Sequence, residues 1–165
     1  MKRLLSSGLV FIGGLVSVPA PLSLCEWLQN APPPDQRTDS RLDVLRAFFQ
    51  DAGCPAAAYA EAFLEAADDY NLDWRLLPSL SWVESTGGKT ARNNNFFGWN
   101  SGRTQFPTPA AGIHLVGYQL SHSGLYRSKS LDRLLITYNP DPDYVQLVKS
   151  VMRRIAPSWK IGVAP

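Results

Sequence analysis

Leu76-Leu77-Pro78-Ser79-Leu80-Ser81-Trp82-Val83-Glu84 is an apolar run that ends on a carboxylate. Leu76, Leu80 and Val83 recur at helical spacing, which predicts a core helix that opens on Asp73 and closes at Glu84. Pro78 falls inside it, so a kink or a short first turn followed by a restart is expected. A polar break follows, Ser85-Thr86-Gly87-Gly88-Lys89, and then an aromatic, amide-rich segment, Asn94-Asn95-Phe96-Phe97-Gly98-Trp99. After Glu84 the next carboxylate is Asp132. Apolar surroundings raise the pKa of a carboxylic acid and keep its proton on near neutral pH, as a general acid for sugar cleavage requires. Aromatic faces and amides suit a sugar, which offers C–H patches and hydroxyls together.

Outward from this run, the apolar residues keep helical spacing. Ser40 with Asp43 resembles a capping box, and Leu42, Leu45 and Phe49 line one face as far as Gly53. Pro55 opens a second helix through Tyr59, Phe63, Ala66 and Tyr70, with Asn71 as its stop. Between Ser85 and Pro107 the period lapses, which predicts a functional loop or a small hairpin lobe. Thr108-Pro109 starts a fourth helix with Ile113, Val116 and Leu120 in register. A fifth runs from about Leu131 to Tyr138, and Asp141-Pro142 opens a last one through Val145, Val148, Met152 and Ile155, ended by Pro157. The fold class read from this pattern is all-α.

A chain of 165 residues has room for one core of ordinary size, and a 45% hydrophobic, 18% charged composition is that of a globular domain rather than a disordered one. The net charge of +2 hides an asymmetry: Glu26 to Glu84 carries 4 basic and 11 acidic residues, Ser85 to Pro165 carries 10 basic and 3 acidic. A basic half can face an anionic polymer, and the two halves can equally attract each other within one fold. No nucleic-acid-binding motif accompanies the charge.

Lys2 and Arg3, the apolar stretch Leu4 to Val18 and the small residues Val18-Pro19-Ala20 read as an export signal over 1–20. Pro21 directly after Ala20 disfavours cleavage there, so the cut can fall later. Residues 21–39 form a Pro-rich linker, 40–157 the folded domain and 158–165 a tail. The expected location is secreted or periplasmic, at the cell envelope, with no stable membrane insertion unless the signal is retained or Cys25 is lipidated. Cys25 and Cys54 leave three readings open: a bridge, a lipid anchor at Cys25, or loss of Cys25 with the signal. His114 and His122 lack metal-ligand spacing, so neither a metal nor a cofactor is expected, and the protein is expected to be a monomer.

Three motifs then occur in order: Glu84-Ser85-Thr86-Gly87-Gly88-Lys89, Asn94-Asn95-Phe96-Phe97-Gly98 and Tyr138-Asn139-Pro140-Asp141-Pro142-Asp143-Tyr144. Together, over roughly residues 57 to 156, they resemble the endo-β-N-acetylglucosaminidase family of peptidoglycan hydrolases, which share a lysozyme-like fold. The resemblance implies that Glu84 is the general acid and that Tyr138 faces the reacting sugar. It further implies that Asn95, Phe96 and Phe97 shape the cleft wall, with Trp99 beside them, and that Tyr144 supports the site. The implied partner is the glycan strand of peptidoglycan.

Each of these residues also has a plainer reading. Glu84 can be a solvated helix terminus paired with Lys89, although a carboxylate there opposes the helix dipole. At least one of Phe96 and Phe97 is expected to plug the core, Trp82 and Trp99 can pack inside, and Tyr138 can simply end a helix. Asn94 and Asn95 are ordinary turn residues by type. The sequence departs from a two-carboxylate site, because Trp99 to Leu131 holds no acid. Asp132, Asp141 and Asp143 come next, the last two reading better as helix caps. With one acid, either the substrate's N-acetyl oxygen attacks the anomeric carbon, or Glu84 acts as acid and then base to form an anhydro sugar, as in lytic transglycosylases, whose Tyr-Asn pair Tyr138-Asn139 resembles. A binding module that has lost its chemistry is the third possibility.

Overall fold

The computed structural model describes residues 39–157. The export signal, the Pro-rich linker before Asp39, Cys25 and the tail lie outside the described residues. Helix α1 is Ser40–Asp51. Its N-cap is Asp39 and not the Ser40 expected from the capping-box pattern: Asp39 Oδ1 accepts the Arg41 amide at 2.9 Å. The same carboxylate holds the Arg41 guanidinium, which also bridges to Asp68 at 2.8 Å and so ties this helix start to the next helix.

The expected second helix divides in two. Pro55–Tyr59 winds as a 3₁₀ turn, and α2 proper is Ala60–Asp69. Here the Ala57 amide bonds back to Cys54 and the Ala56 amide is taken by the Gly87 carbonyl, so the first turn is tightened rather than α-helical. Asn71 stops the helix as expected, in the left-handed region at φ 50°.

Helix α3, Leu76–Ser85, carries the opening run and extends one residue past Glu84. The N-cap is Arg75, without a side-chain capping bond, and not the expected Asp73. Asp73 shapes the turn before the helix by accepting the Arg75 amide at 3.0 Å with its side chain and the Leu76 amide at 2.8 Å with its carbonyl. Pro78 falls in the first turn, where its missing N–H has no intrahelical partner to lose. At the far end Thr86 turns left-handed at φ 52°, and the Gly87 amide reaches back to the Ser81 carbonyl at 3.1 Å. Gly87 is required there: a Cβ would lie 2.9 Å from that of Cys54 and against the Phe49 ring.

Helices α4 (Pro109–His122), α5 (Leu131–Tyr138) and α6 (Tyr144–Ile155) complete the domain. Thr108 caps α4 through Oγ1 to the Ala111 amide at 3.1 Å. Before α6, Asp141 holds the turn by accepting the Asp143 amide at 2.9 Å, whereas Asp143, expected as a second cap, makes no capping bond with its side chain. No strand occurs among the described residues. The hairpin alternative for 85–107 shrinks to one bridge, Arg92 to Asn95, across a two-residue turn in which Asn93 and Asn94 both sit at φ 57°. The fold is all-α.

Helix α2 packs on α4 and α3 on α6, around Phe49, Phe63, Leu77, Leu80, Ile113, Val116, Leu135 and Val148. The rings of Phe49 and Phe63 stack at 5.8 Å, and Phe97 meets Phe63 edge-on at 6.4 Å. The loop after α3 is therefore anchored in the core through its own aromatic residues.

Candidate active site

Glu84, in the last turn of α3, has its carboxyl half-buried where α6 begins. Tyr144, the first residue of α6, donates its hydroxyl to Glu84 Oε1 at 2.6 Å. Burial pushes the Glu84 pKa above the ordinary carboxylate value, and the Tyr144 bond, which favours the charged form, pulls against it without cancelling the rise. The second oxygen faces Gly98, where a Cβ would come within 3.2 Å of Oε2. No ion pair joins Glu84 to Lys89 among the described residues, so the paired-terminus reading does not hold.

The two motif tyrosines divide the work. Tyr144 is only 4% exposed and stands behind the acid. The ring of Tyr138 stacks on that of Tyr144 at 6.0 Å, and its hydroxyl donates to the Phe97 carbonyl at 2.7 Å. Burial first, and the nearby Glu84 charge second, push the Tyr138 hydroxyl far above the usual phenol range. Tyr144 is raised by burial and by its bond to Glu84, and Tyr126 by burial. All three phenols therefore keep their protons, and Tyr138 and Tyr144 act as neutral donors rather than bases.

Two depressions meet at Glu84. The larger, about 440 Å³, is lined by Glu84, Phe97, Gly98, Trp99, Asn100, Ser101, Tyr126, Tyr138 and Asn139. The smaller, about 290 Å³, is lined by Glu84, Ser85, Thr90, Ala91, Arg92, Asn95, Gly98, Ser101 and Gly102. Glu84, Gly98 and Ser101 border both, so the acid stands where the two chambers adjoin. Trp99, Tyr126 and Tyr138 form an aromatic wall with ring centroids 6.1 to 6.5 Å apart.

The expected site is thus partly assembled and partly corrected. Glu84, Tyr138 and Trp99 come together at the groove. Phe96 and Phe97 do not form its wall with their rings: they are 4% and 1% exposed, and their rings pack on Tyr59 and Phe63 respectively. A hydrophobic ring on a loop gains more by entering the core than by facing a wet groove. Asn95, at 3% exposure, is a loop brace, although it borders the smaller chamber. Its Nδ2 donates to the Trp99 and Thr104 carbonyls at 3.0 and 3.1 Å, and its Oδ1 accepts the Trp99 amide at 2.9 Å. Tyr144 borders neither chamber and holds the acid instead of contacting ligand.

Sequence reasoning missed Tyr126, Asn100, Ser101, Asn139 and Arg92 as lining residues. Tyr126 lies between two helices with no period to mark it, and Asn139 alone had a cue, its place beside Tyr138. No second acid joins Glu84 along either chamber among the described residues. Asp132 is ion-paired with Lys149 of α6, and Asp141 is occupied by its turn. Among the described residues no helix is long and apolar enough to cross a membrane. Comparison with protein-family models, with characterised proteins and with solved structures finds no match.

Proposed function

We propose that this protein is an exported, lysozyme-like hydrolase that cuts the glycan strand of peptidoglycan beside N-acetylglucosamine, with Glu84 as general acid. The observation that carries the reading is the position of Glu84: half-buried, raised in pKa, hydrogen-bonded by Tyr144 and placed where the two chambers adjoin. A polymer threaded through both chambers puts an internal glycosidic oxygen beside the acid. Glu84 gives that oxygen its proton as the C–O bond breaks, and positive charge develops at the anomeric carbon. With no second carboxylate at the groove among the described residues, the N-acetyl oxygen of the substrate itself is the group that attacks that carbon. Ionised Glu84 then takes a proton from the water that opens the resulting ring, which restores the acid. Trp99, Tyr126 and Tyr138 supply the apolar surface for the sugar ring, and Asn100 and Asn139 supply amides for its hydroxyls.

A second reading has an observation of its own. Asn139 borders the larger chamber beside Tyr138, and Glu84 is without a carboxylate partner there among the described residues, which also suits a lytic transglycosylase. In that reaction Glu84 protonates the leaving oxygen and then deprotonates the C6 hydroxyl of N-acetylmuramic acid, which closes on the anomeric carbon.

Digestion of purified peptidoglycan followed by mass analysis tests both. Reducing N-acetylglucosamine ends support hydrolysis, and 1,6-anhydro ends support the transglycosylase. Should the wild type and Glu84→Gln clear a cell-wall gel equally well, Glu84 is not the acid. Should neither clear it while both bind the wall, the protein is a binding module.

A further inference from the structure

The two chambers differ in charge. The larger presents rings, amides and hydroxyls, and apart from Glu84 itself it holds no charged side chain among the described residues. The smaller adds a cation, Arg92, together with Thr90 and Ser85. Arg92 is exposed, and it has no carboxylate partner among the described residues, whereas Arg41 and Arg75 are both ion-paired. Its backbone is held in place: the Asn95 amide bonds to the Arg92 carbonyl at 2.9 Å across the Asn93-Asn94 turn. The side chain of Asn94 then ties that turn to the carbonyls of Phe106 and Pro107 at 2.9 and 3.2 Å.

We infer that Arg92 is a specificity-determining residue: the smaller chamber receives a sugar bearing a carboxylate, and the larger an uncharged N-acetylhexosamine. The inference rests on the glycan-cleavage reading and adds to it the orientation of an alternating strand. A guanidinium offers paired donors that match a carboxylate. In a peptidoglycan strand every second sugar carries a lactyl group that ends in a carboxylate or in an acidic stem peptide. A strand of uncharged N-acetylglucosamine offers Arg92 neutral acceptors but no carboxylate. Alternation therefore sets the register, and Glu84 meets one of the two kinds of linkage and not the other.

The test measures binding by the full-length protein carrying Glu84→Gln, so that ligands are not consumed. The ligands are soluble peptidoglycan strands with their stem peptides and, separately, chitohexaose. Arg92→Ala added to Glu84→Gln is expected to weaken the peptidoglycan strand about tenfold, the lower end for a hydrogen bond to a charged group. Binding of chitohexaose should stay unchanged. Arg92→Lys should keep part of the affinity, and added salt should weaken the parent but not Arg92→Ala. Equal loss for both ligands, or loss for neither, overturns the inference while leaving glycan binding in place. If the Glu84→Gln parent binds neither ligand, the glycan reading fails and the inference falls with it. Arg92 is exposed, so the thermal midpoint of Arg92→Ala should match the parent and confirm that the fold is intact.

Discussion

At the scale of a residue, the behaviour of Glu84 is set by two opposing influences. Burial raises its pKa and the Tyr144 hydroxyl lowers it, with burial the larger. In the proposed reaction the acid must be protonated to act, so on that proposal activity should fall as pH rises through the Glu84 pKa, and that limb should lie above the ordinary carboxylate range. Tyr144→Phe removes a bond that favours the charged form. The alkaline limb of its pH–rate profile should therefore move to higher pH, and a limb that moves down contradicts the arrangement. The stability consequence has a definite sign. A carboxylic acid whose folded pKa is raised stabilises the protein below its unfolded pKa, and that contribution is lost as pH rises through the folded value. Glu84→Gln, which cannot ionise, should thus melt above the wild type at neutral pH and not below pH 4, while its activity drops by about 10²- to 10⁴-fold.

At the scale of an element, the segment from Thr86 to Thr108 is irregular in period yet tightly specified. Asn95 alone joins the Trp99 and Thr104 backbones, so Asn95→Ala should cost about 2–3 kcal/mol in denaturant unfolding, for a buried bond network left unsatisfied. Gly98 sits at φ 58°, with Glu84 Oε2 in the path of any Cβ. Gly98→Ala should cost about 1–2 kcal/mol of backbone strain and lower kcat by displacing the acid. Unchanged kcat would show that the loop and the carboxyl move independently. The aromatic pair was legible as important, and one ring was expected to plug the core, but that both turn inward was not legible. Sequence spacing says nothing about which side of an aperiodic loop faces the core, and that choice sends both rings inward and leaves Trp99 at the groove.

At the scale of the whole molecule, the site is a junction of distant segments: α3 brings the acid, the start of α6 brings Tyr144 and the end of α5 brings Tyr138. Phe97 couples them, because its ring lies in the core while its carbonyl holds the Tyr138 hydroxyl. Phe97→Ala should destabilise the domain by about 3–5 kcal/mol in urea unfolding, from lost burial and the cavity left behind. It should also reduce activity under conditions where the fold persists, since the backbone carbonyl that holds the Tyr138 hydroxyl loses its anchoring ring.

Periodicity alone determined the helices: a buried face every 3.6 residues marks α1, α4, α5 and α6 closely, and Asp73, Thr108 and Asn71 punctuate them through local hydrogen bonding. The acid, too, was legible as a carboxylate at the end of an apolar run. The family resemblance already pointed to Tyr138 and Tyr144, but only the tertiary structure decided how they and their neighbours meet the acid. Tyr144 lies 60 positions from Glu84, and Arg92, Tyr126 and Asn139 reach the groove through packing that no local pattern encodes. A helix is written in contacts three and four residues apart, whereas a groove is the space left where several such elements meet.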